Sequence, residues 1–480
     1  MQALQAGLTG PTVEPGKLQG REAERTQRGD EILRRQLQYK WAPFTRIRYL
    51  EAHGVVPIVR GEGVRVYDAD GREYIDAHAA LWLVNVGYGR SEIVEAVYRQ
   101  MRELAWFSSF ENYTNLPSIE LAERLVGLLQ PEGMGKVFFT GSGSESVETA
   151  LKIARQYWRL RGMPGKYKVI SRDRAYHGVT LGAVSATGLA ANRRMFEPLV
   201  PGFRHGPSPY CYRCSLGLTP ERCGLACADY LARMIEMEGP DTVAAVIAEP
   251  VQGAGGVIVP PEDYLRRLRE ICTHHGVLLI LDEVITGFGR VGEWFGARRW
   301  GVRPDIMTFA KGLTSGYMPL GATAVTDEIF DVFRANEDRM GAFRHGNTYS
   351  GHPAACAAAL ANLDILERED LPRNAREVGA YLLARLRQLE SHPIVGHVDG
   401  VGLLARVELV RNRQTREPFA AGMGVGDRVA LRARELGVIL RPIGDVLTFS
   451  PPLCLKREDA DRIVQVVEQA IAEIERELDG

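Results

Sequence analysis

The 480-residue chain has almost no net charge, few cysteines and no long apolar run. Its 59 basic and 60 acidic side chains leave a balance of -1 with no block of one sign, so neither nucleic acid nor a membrane surface is an expected partner. Apolar runs such as residues 277–281 fall far short of the roughly 20 residues that cross a bilayer. The first twenty residues lack a basic start followed by an apolar core. They read as a disordered lead and not as a signal peptide, and the expected location is cytoplasmic. Seven cysteines, an odd number in a long chain, speak against a secreted disulfide framework. Internal repeats and low-complexity tracts are also missing.

What the chain does have is a 45% hydrophobic composition, enough for a large core in two or more domains. Short apolar runs at 136–140, 167–171, 242–249, 277–282, 305–310 and 320–325 read as strands. Helical patterns alternate with them. One covers 145–161, with Val147, Leu151, Ala154 and Trp158 on one face, and another covers 261–275, closed by Gly276. Continuous apolar runs suit strands buried on both faces, so the expected fold class is α/β, a mostly parallel sheet sandwiched by helices. After Gly351 come helices at 354–369 and 374–389, strand-like pieces at 402–409, 437–441 and 446–450, and a helix at 457–478. That grouping predicts a smaller α+β domain. The expected division is a lead at 1–30, a segment at 31–80 packing with the small domain, a large domain at 81–350 and the small domain at 351–480.

Four strand ends carry chemistry. The run KVFFT leads into Gly141, Ser142, Gly143, Ser144 and Glu145 and then a helix. Helix-start amides and serine hydroxyls there could hold a phosphate at Gly143 and Ser144. A plain N-cap by Ser142 or Ser144, with Glu148 completing a capping box, explains the same residues. The dinucleotide fingerprint fails because Ser146 stands where its third glycine belongs, and the P-loop signature fails as well. Asp282 ends one strand, Glu249 another, and Lys311 follows a third. Each alone is open to a bland reading: a capping aspartate, a surface lysine. Together they face one rim, where parallel sheets bind ligands. Pyridoxal 5′-phosphate combines a phosphate, a ring nitrogen that wants an acidic partner and an aldehyde that wants an amine. Asp282 would keep the ring nitrogen protonated, Lys311 would take the aldehyde, and Tyr176, in the stretch with His177 and Gly178, could lie on the ring face.

The chain resembles the class III pyridoxal-phosphate aminotransferases, the ω-transaminase group of fold type I, over residues 38–475. The matching stretches are ALWLVNVGYGR (80–90), TGSGSESVETALKIAR (140–155), AYHG (175–178), AEPVQG (248–253), LILDEVITGFGRVGEWFG (279–296), FAKGLTSGYMPLGA (309–322), HGNTYSGHP (345–353) and LRPIGDVLTFSPPL (440–453). The resemblance implies that Lys311 is the Schiff-base lysine and proton shuttle, and that Asp282 pairs with the pyridine nitrogen. Gly143 and Ser144 would bind the phosphate, with Tyr176 stacked on the ring, His177 beside it and Val284 behind. Glu249 would sit on the ring-hydroxyl side, and Thr348 would reach the phosphate of a neighbouring subunit's cofactor, making a homodimer, or a dimer of dimers, the working unit. Arg441 matches the arginine that swings in to bind a substrate carboxylate, which its planar fork suits. Phe44 and Trp82 would wall the substrate pocket, although Trp82 is equally suited to the core.

The implied reaction moves an amino group from an amine or ω-amino acid (taurine, β-alanine or a simple amine) to pyruvate. An aminomutase of the glutamate-1-semialdehyde type, a decarboxylating enzyme, or a non-catalytic cofactor- or metal-binding protein are the alternatives. Cys211, Cys214, Cys223 and Cys227 form a cluster that most of the family lacks and that resembles an insert of taurine–pyruvate members. Its spacing allows a structural zinc site, two local disulfides or four free thiols.

Overall fold

The computed structural model describes residues 27–340, 342–420 and 422–479. Of the expected lead, residues 1–26 therefore lie outside the described residues, while 27–30 begin the helix Gln27–Tyr39. Three strands follow, β1 (Ile58–Glu62), β2 (Arg65–Asp68) and β3 (Glu73–Asp76), paired antiparallel in that order. The central sheet comprises β4 (Met134–Thr140), β5 (Lys168–Arg172), β6 (Phe203–Gly206), β7 (Val243–Ala248), β8 (Leu278–Asp282), β9 (Ile306–Phe309) and β10 (Gly321–Thr326). Their spatial order is β4-β10-β9-β8-β7-β5-β6. β10 runs antiparallel to both its neighbours, and the pairs from β9 across to β6 are parallel.

Every residue of β7, β8 and β9 is buried, as their unbroken apolar sequences require of strands covered on both faces. Successive side chains point to opposite faces, and β8 shows it: Ile280 packs with Val147, Leu151, Ala154 and Trp158 of the helix Gly143–Leu160. Leu279 and Leu281 pack on the other side with Leu265, Leu268 and Ile271 of the helix Tyr264–His274. Each such fully buried aliphatic side chain contributes roughly 1.5–3 kcal/mol. Because the strands are parallel, Asp282, Phe309 and the residues after Ala248 and Arg172 emerge on one rim.

The C-terminal part holds the helices Pro353–Arg368 and Leu371–Arg387, strands β11 (Val395–Val401), β12 (Leu404–Leu409), β13 (Val438–Ile439), β14 (Arg441–Ile443) and β15 (Val446–Phe449), and the helix Arg457–Asp479. The expected strand at 437–441 is two strands in different sheets. β13 pairs in parallel with β3, and β14 pairs with β15 in the antiparallel sheet β11-β12-β15-β14. The change of sheet at buried Leu440 stitches the N-terminal segment to the C-terminal part. The helix expected at 374–389 starts earlier, at Leu371, because Pro372 fits a first helical turn, where its missing N–H costs nothing.

Candidate active site

The rim is built around Asp282. Its Oδ2 lies 2.7 Å from Nδ1 of buried His177, and its Oδ1 accepts from the Thr308 hydroxyl (3.0 Å) and the Val284 amide (3.2 Å). Register explains the threonine, since Asp282 and Thr308 are Cα partners across β8 and β9. Glu249, directly after β7, accepts from the amides of Tyr176 (3.0 Å) and Gly253 (3.1 Å). Burial pushes its carboxyl up to about 7; His177 and Arg172 pull it down and Asp282 pushes it further up. Arg172, the last residue of β5, is fully buried and donates to the Glu249 carbonyl at 2.5 Å.

Lys311 opens a short 3-10 turn directly after β9 and Ala310, with φ of 43°, a conformation that disfavours side chains. The residue is half-buried at the open rim. Loss of water pulls its amine below the ordinary lysine value; Asp282 and Glu249 pull it up and Arg441 pulls it further down. A partly neutral amine beside two carboxylates is what attack on an aldehyde needs.

At the helix start Ser142, not Ser144, is the N-cap and accepts from the Glu145 amide. Glu145 reaches back to the Gly141 amide, and Glu148 instead holds the amides of Gly182 and Ala183. The capping glutamate is thus Glu145, one turn earlier than the alternative reading had it. Gly143 and Ser144 precede the first amide with an intrahelical carbonyl partner. A Cβ on Gly143 would come within 3.1 Å of Val284, so glycine is what lets this helix approach the turn after Asp282. Ser144 Oγ accepts from the Val179 amide beside Gly178, which links the cradle to the Tyr176 loop. A backbone cradle, a buried carboxylate and a half-buried amine on one rim fit pyridoxal 5′-phosphate.

Trp82 is buried in the core, and the Arg441 guanidinium lies over its ring at 5.1 Å from the centroid. Arg441 opens β14 and is half-buried. Tyr176 feels Arg441, Asp282 and Glu249, and burial raises its hydroxyl pKa first of all. These side chains therefore share one site. Phe44 is 72% exposed, and Thr348 is exposed in the turn after Asn347.

Residues 49–471 match the family described as aminotransferase class-III. The chain is also 44% identical over 430 residues to a putrescine–pyruvate aminotransferase of Pseudomonas aeruginosa, covering 89% of this chain and 93% of that one. The chain belongs to the class III aminotransferases. A diaminobutyrate–2-oxoglutarate transaminase of Halomonas elongata is likewise 44% identical over 432 residues, at 88% and 92% coverage. Among solved structures, an amine transaminase from an uncultivated Pseudomonas species in its PLP-bound form matches with a TM-score of 0.87 and 44% identity. The match covers 90% of this chain and 98% of that one. Members of this family work with pyridoxal 5′-phosphate, the cofactor of this aminotransferase.

In this class III aminotransferase the structure favours one of the three readings of the cysteine cluster, four free thiols. Cys211, Cys214, Cys223 and Cys227 do line one small cavity of about 20 Å³, room for about one water. All four are free thiols, and among the described residues no group of three or more His, Cys, Asp or Glu could hold a metal ion. Burial, and then the sulfurs of Cys223 and Cys214, raise the Cys211 pKa; burial takes Cys227 to about 11. Among the described residues no helix is long and apolar enough to cross a membrane.

Sequence reasoning missed Thr308, Arg172 and the pairing of His177 with Asp282. The signal for Thr308 was a polar residue three before Lys311 in an otherwise apolar strand. Arg172 lay one residue beyond the expected end of its strand.

Proposed function

We propose that this aminotransferase moves an amino group from a primary amine or ω-amino acid to pyruvate, giving alanine, with taurine, β-alanine and simple amines as candidate donors. The carrying observation is Arg441 over Trp82, a guanidinium facing the Lys311 rim where a keto-acid carboxylate needs a bidentate partner. The relatives named for putrescine with pyruvate and for diaminobutyrate with 2-oxoglutarate support an amine donor and a keto-acid acceptor. The bound cofactor supplies an aldehyde for the amine and a sink for the electron pair left on the substrate carbon. Lys311 Nζ would supply the amine that holds the cofactor and the base that moves the substrate proton. Asp282, fixed by His177 and Thr308, would place its carboxylate opposite the ring nitrogen. Gly143 and Ser144 would offer amides and a hydroxyl to the phosphate, and Tyr176 and Val284 would hold the ring between them. Glu249 would serve the ring-hydroxyl side.

The working unit in this reading is a homodimer in which Thr348 of one chain reaches the other's phosphate site and Phe44 walls a pocket. Its support is an exposed apolar face around Thr348. Trp106, Phe107, Phe110, Tyr113 and Leu116 are all exposed, and Trp106 packs on exposed Tyr349, 6.4 Å between ring centroids. The test is a donor panel of taurine, β-alanine, putrescine and butylamine against pyruvate and 2-oxoglutarate, reading alanine and glutamate. Alanine from one or more of these donors is expected. Glutamate formed faster than alanine overturns the acceptor assignment, and no transfer from any of the four donors overturns the donor class.

A further inference from the structure

His78 has no role in the scheme above, yet it is packed into the substrate side of the site. It is 2% exposed, and its imidazole meets the Trp82 ring edge-on at 4.3 Å between centroids. The Arg441 guanidinium covers the same indole. One backbone unit ties the three together. Asp76 accepts from the amides of His78 (2.9 Å) and Ala80 (2.6 Å) and from the Tyr88 hydroxyl (2.5 Å). Ser450, directly after β15, donates its amide to the Ala77 carbonyl at 2.8 Å. β15 in turn pairs with β14, where Arg441 is the Cα partner of Thr448.

The hydrogen bonding sets the state of the ring. The Ser450 hydroxyl donates to the His78 carbonyl at 3.1 Å, and its Oγ lies 3.3 Å from Nδ1. With the hydroxyl's one proton on that carbonyl, Oγ accepts from Nδ1–H and Nε2 is left as an acceptor. That Nε2 is buried with no hydrogen-bond partner among the described residues. Burial, and then the positive charges of Arg441 and Arg290, hold the imidazole well below the usual histidine range. An imidazolium there would repel Arg441. Support for Trp82 is needed because its backbone is not relaxed: Ala79, Ala80 and Trp82 have φ of 45°, 56° and 57°. Such conformations persist only where surrounding contacts impose them.

We propose that His78 is a positioning residue for the keto-acid carboxylate, a neutral ring that braces Trp82 as the platform holding Arg441 towards the cofactor rim. This rests on the reading of Arg441 as the carboxylate-binding arginine. The test measures, on the PLP-loaded enzyme, KM for pyruvate and for butylamine, a donor without a carboxylate, in wild type, Arg441→Ala, His78→Ala, His78→Gln and His78→Phe. Expected for His78→Ala is a rise of about fivefold to tenfold in pyruvate KM, with butylamine KM within about twofold and kcat changed less than pyruvate KM. His78→Phe, which keeps an uncharged ring against Trp82, is expected to restore most of the loss. Should His78→Ala fail to fold, His78→Gln, neutral but without a ring, is expected to show the same split. If Arg441→Ala leaves pyruvate KM unchanged, the Arg441 reading fails. If Arg441→Ala raises it while the ring-less His78 variants leave the ratio of the two KM values unchanged, or raise both equally, the role assigned to His78 is overturned.

Discussion

The sheet rim and the cysteine insert are both clusters of ionisable side chains, and they are organised in opposite ways. At the rim every carboxylate oxygen of Asp282 and Glu249 has a donor, from a neighbouring strand or the loop after it. Such fixed dipoles need no rearrangement when charge changes during a reaction. In the insert the four thiols line one small cavity, and burial raises the pKa of Cys211 and Cys227. The difference lies in what sets direction. Parallel strands deliver their last residues to one side whatever the sequence between them. In the insert Cys211 lies in a 3-10 turn and Cys223 ends a four-residue helix. Gly224 and Leu225, with φ of 51° and 64°, then turn the chain before Cys227.

The sharpest way to break this contrast is at Lys311. Lys311→Ala keeps the fold, which a thermal melt checks, and lowers alanine formation by about 10⁴-fold, because attack and proton transfer both use that nitrogen. Multiple turnovers at an undiminished rate would remove the rim from the chemistry. Next comes Asp282→Asn, which keeps the shape but deletes the charge that His177 and Thr308 orient. A fall of about 10²-fold in kcat is expected, with little change in melting temperature. A fall below twofold would mean that the carboxylate is structural.

A smaller effect concerns pH and stability. The Glu249 carboxyl ionises near 4.5 in the unfolded chain and is pushed up to about 7 by burial in the fold. Between those values the unfolded chain has released a proton that the native state still holds. Stability present below pH 4.5 is therefore lost as pH rises through 7. Glu283, also raised to about 7 by burial, adds a parallel loss. Glu249→Gln should remove roughly half of the fall in melting temperature over that window in cofactor-free protein. An unaltered slope would mean that the native carboxyl is already ionised there.

What could be read in advance follows the same divide. The strands around Asp282 and Lys311 were legible because burial on both faces demands unbroken apolar runs, as in Val243–Ala248 and Leu278–Asp282. β6 was not, since Phe203–Gly206 at the sheet's edge carries Arg204 and His205 and pairs on one side only. The sheet change at Leu440 was invisible because both halves are only two or three residues long, and only the partner strands distinguish them. At the site, residue types at strand ends were legible, and the contacts that orient them were not. His177 and Asp282 are 105 residues apart. Nothing local specifies their pairing until β8 and the loop after β5 lie on one rim.

The smallest expected effect tests the other side of the contrast. With no metal ligand group among the described residues, removing metal should leave the cysteine insert unchanged. The insert is held by other means. Tyr210 and Arg213 both bind the buried Glu408 of β12, Arg416 donates to the Tyr212 carbonyl at 2.6 Å, and Tyr212 stacks on His397 at 4.7 Å. These contacts tie the insert to the C-terminal sheet without using sulfur. Dialysis against a strong chelator should therefore shift the melting temperature by less than about 1 °C, and elemental analysis before dialysis should find no stoichiometric zinc. Glu408→Gln, by contrast, weakens two charge-assisted or buried hydrogen bonds and should lower stability by about 1–3 kcal/mol. A chelator effect larger than that of Glu408→Gln would make sulfur–metal bonding the insert's main support and reverse the distinction between the two clusters.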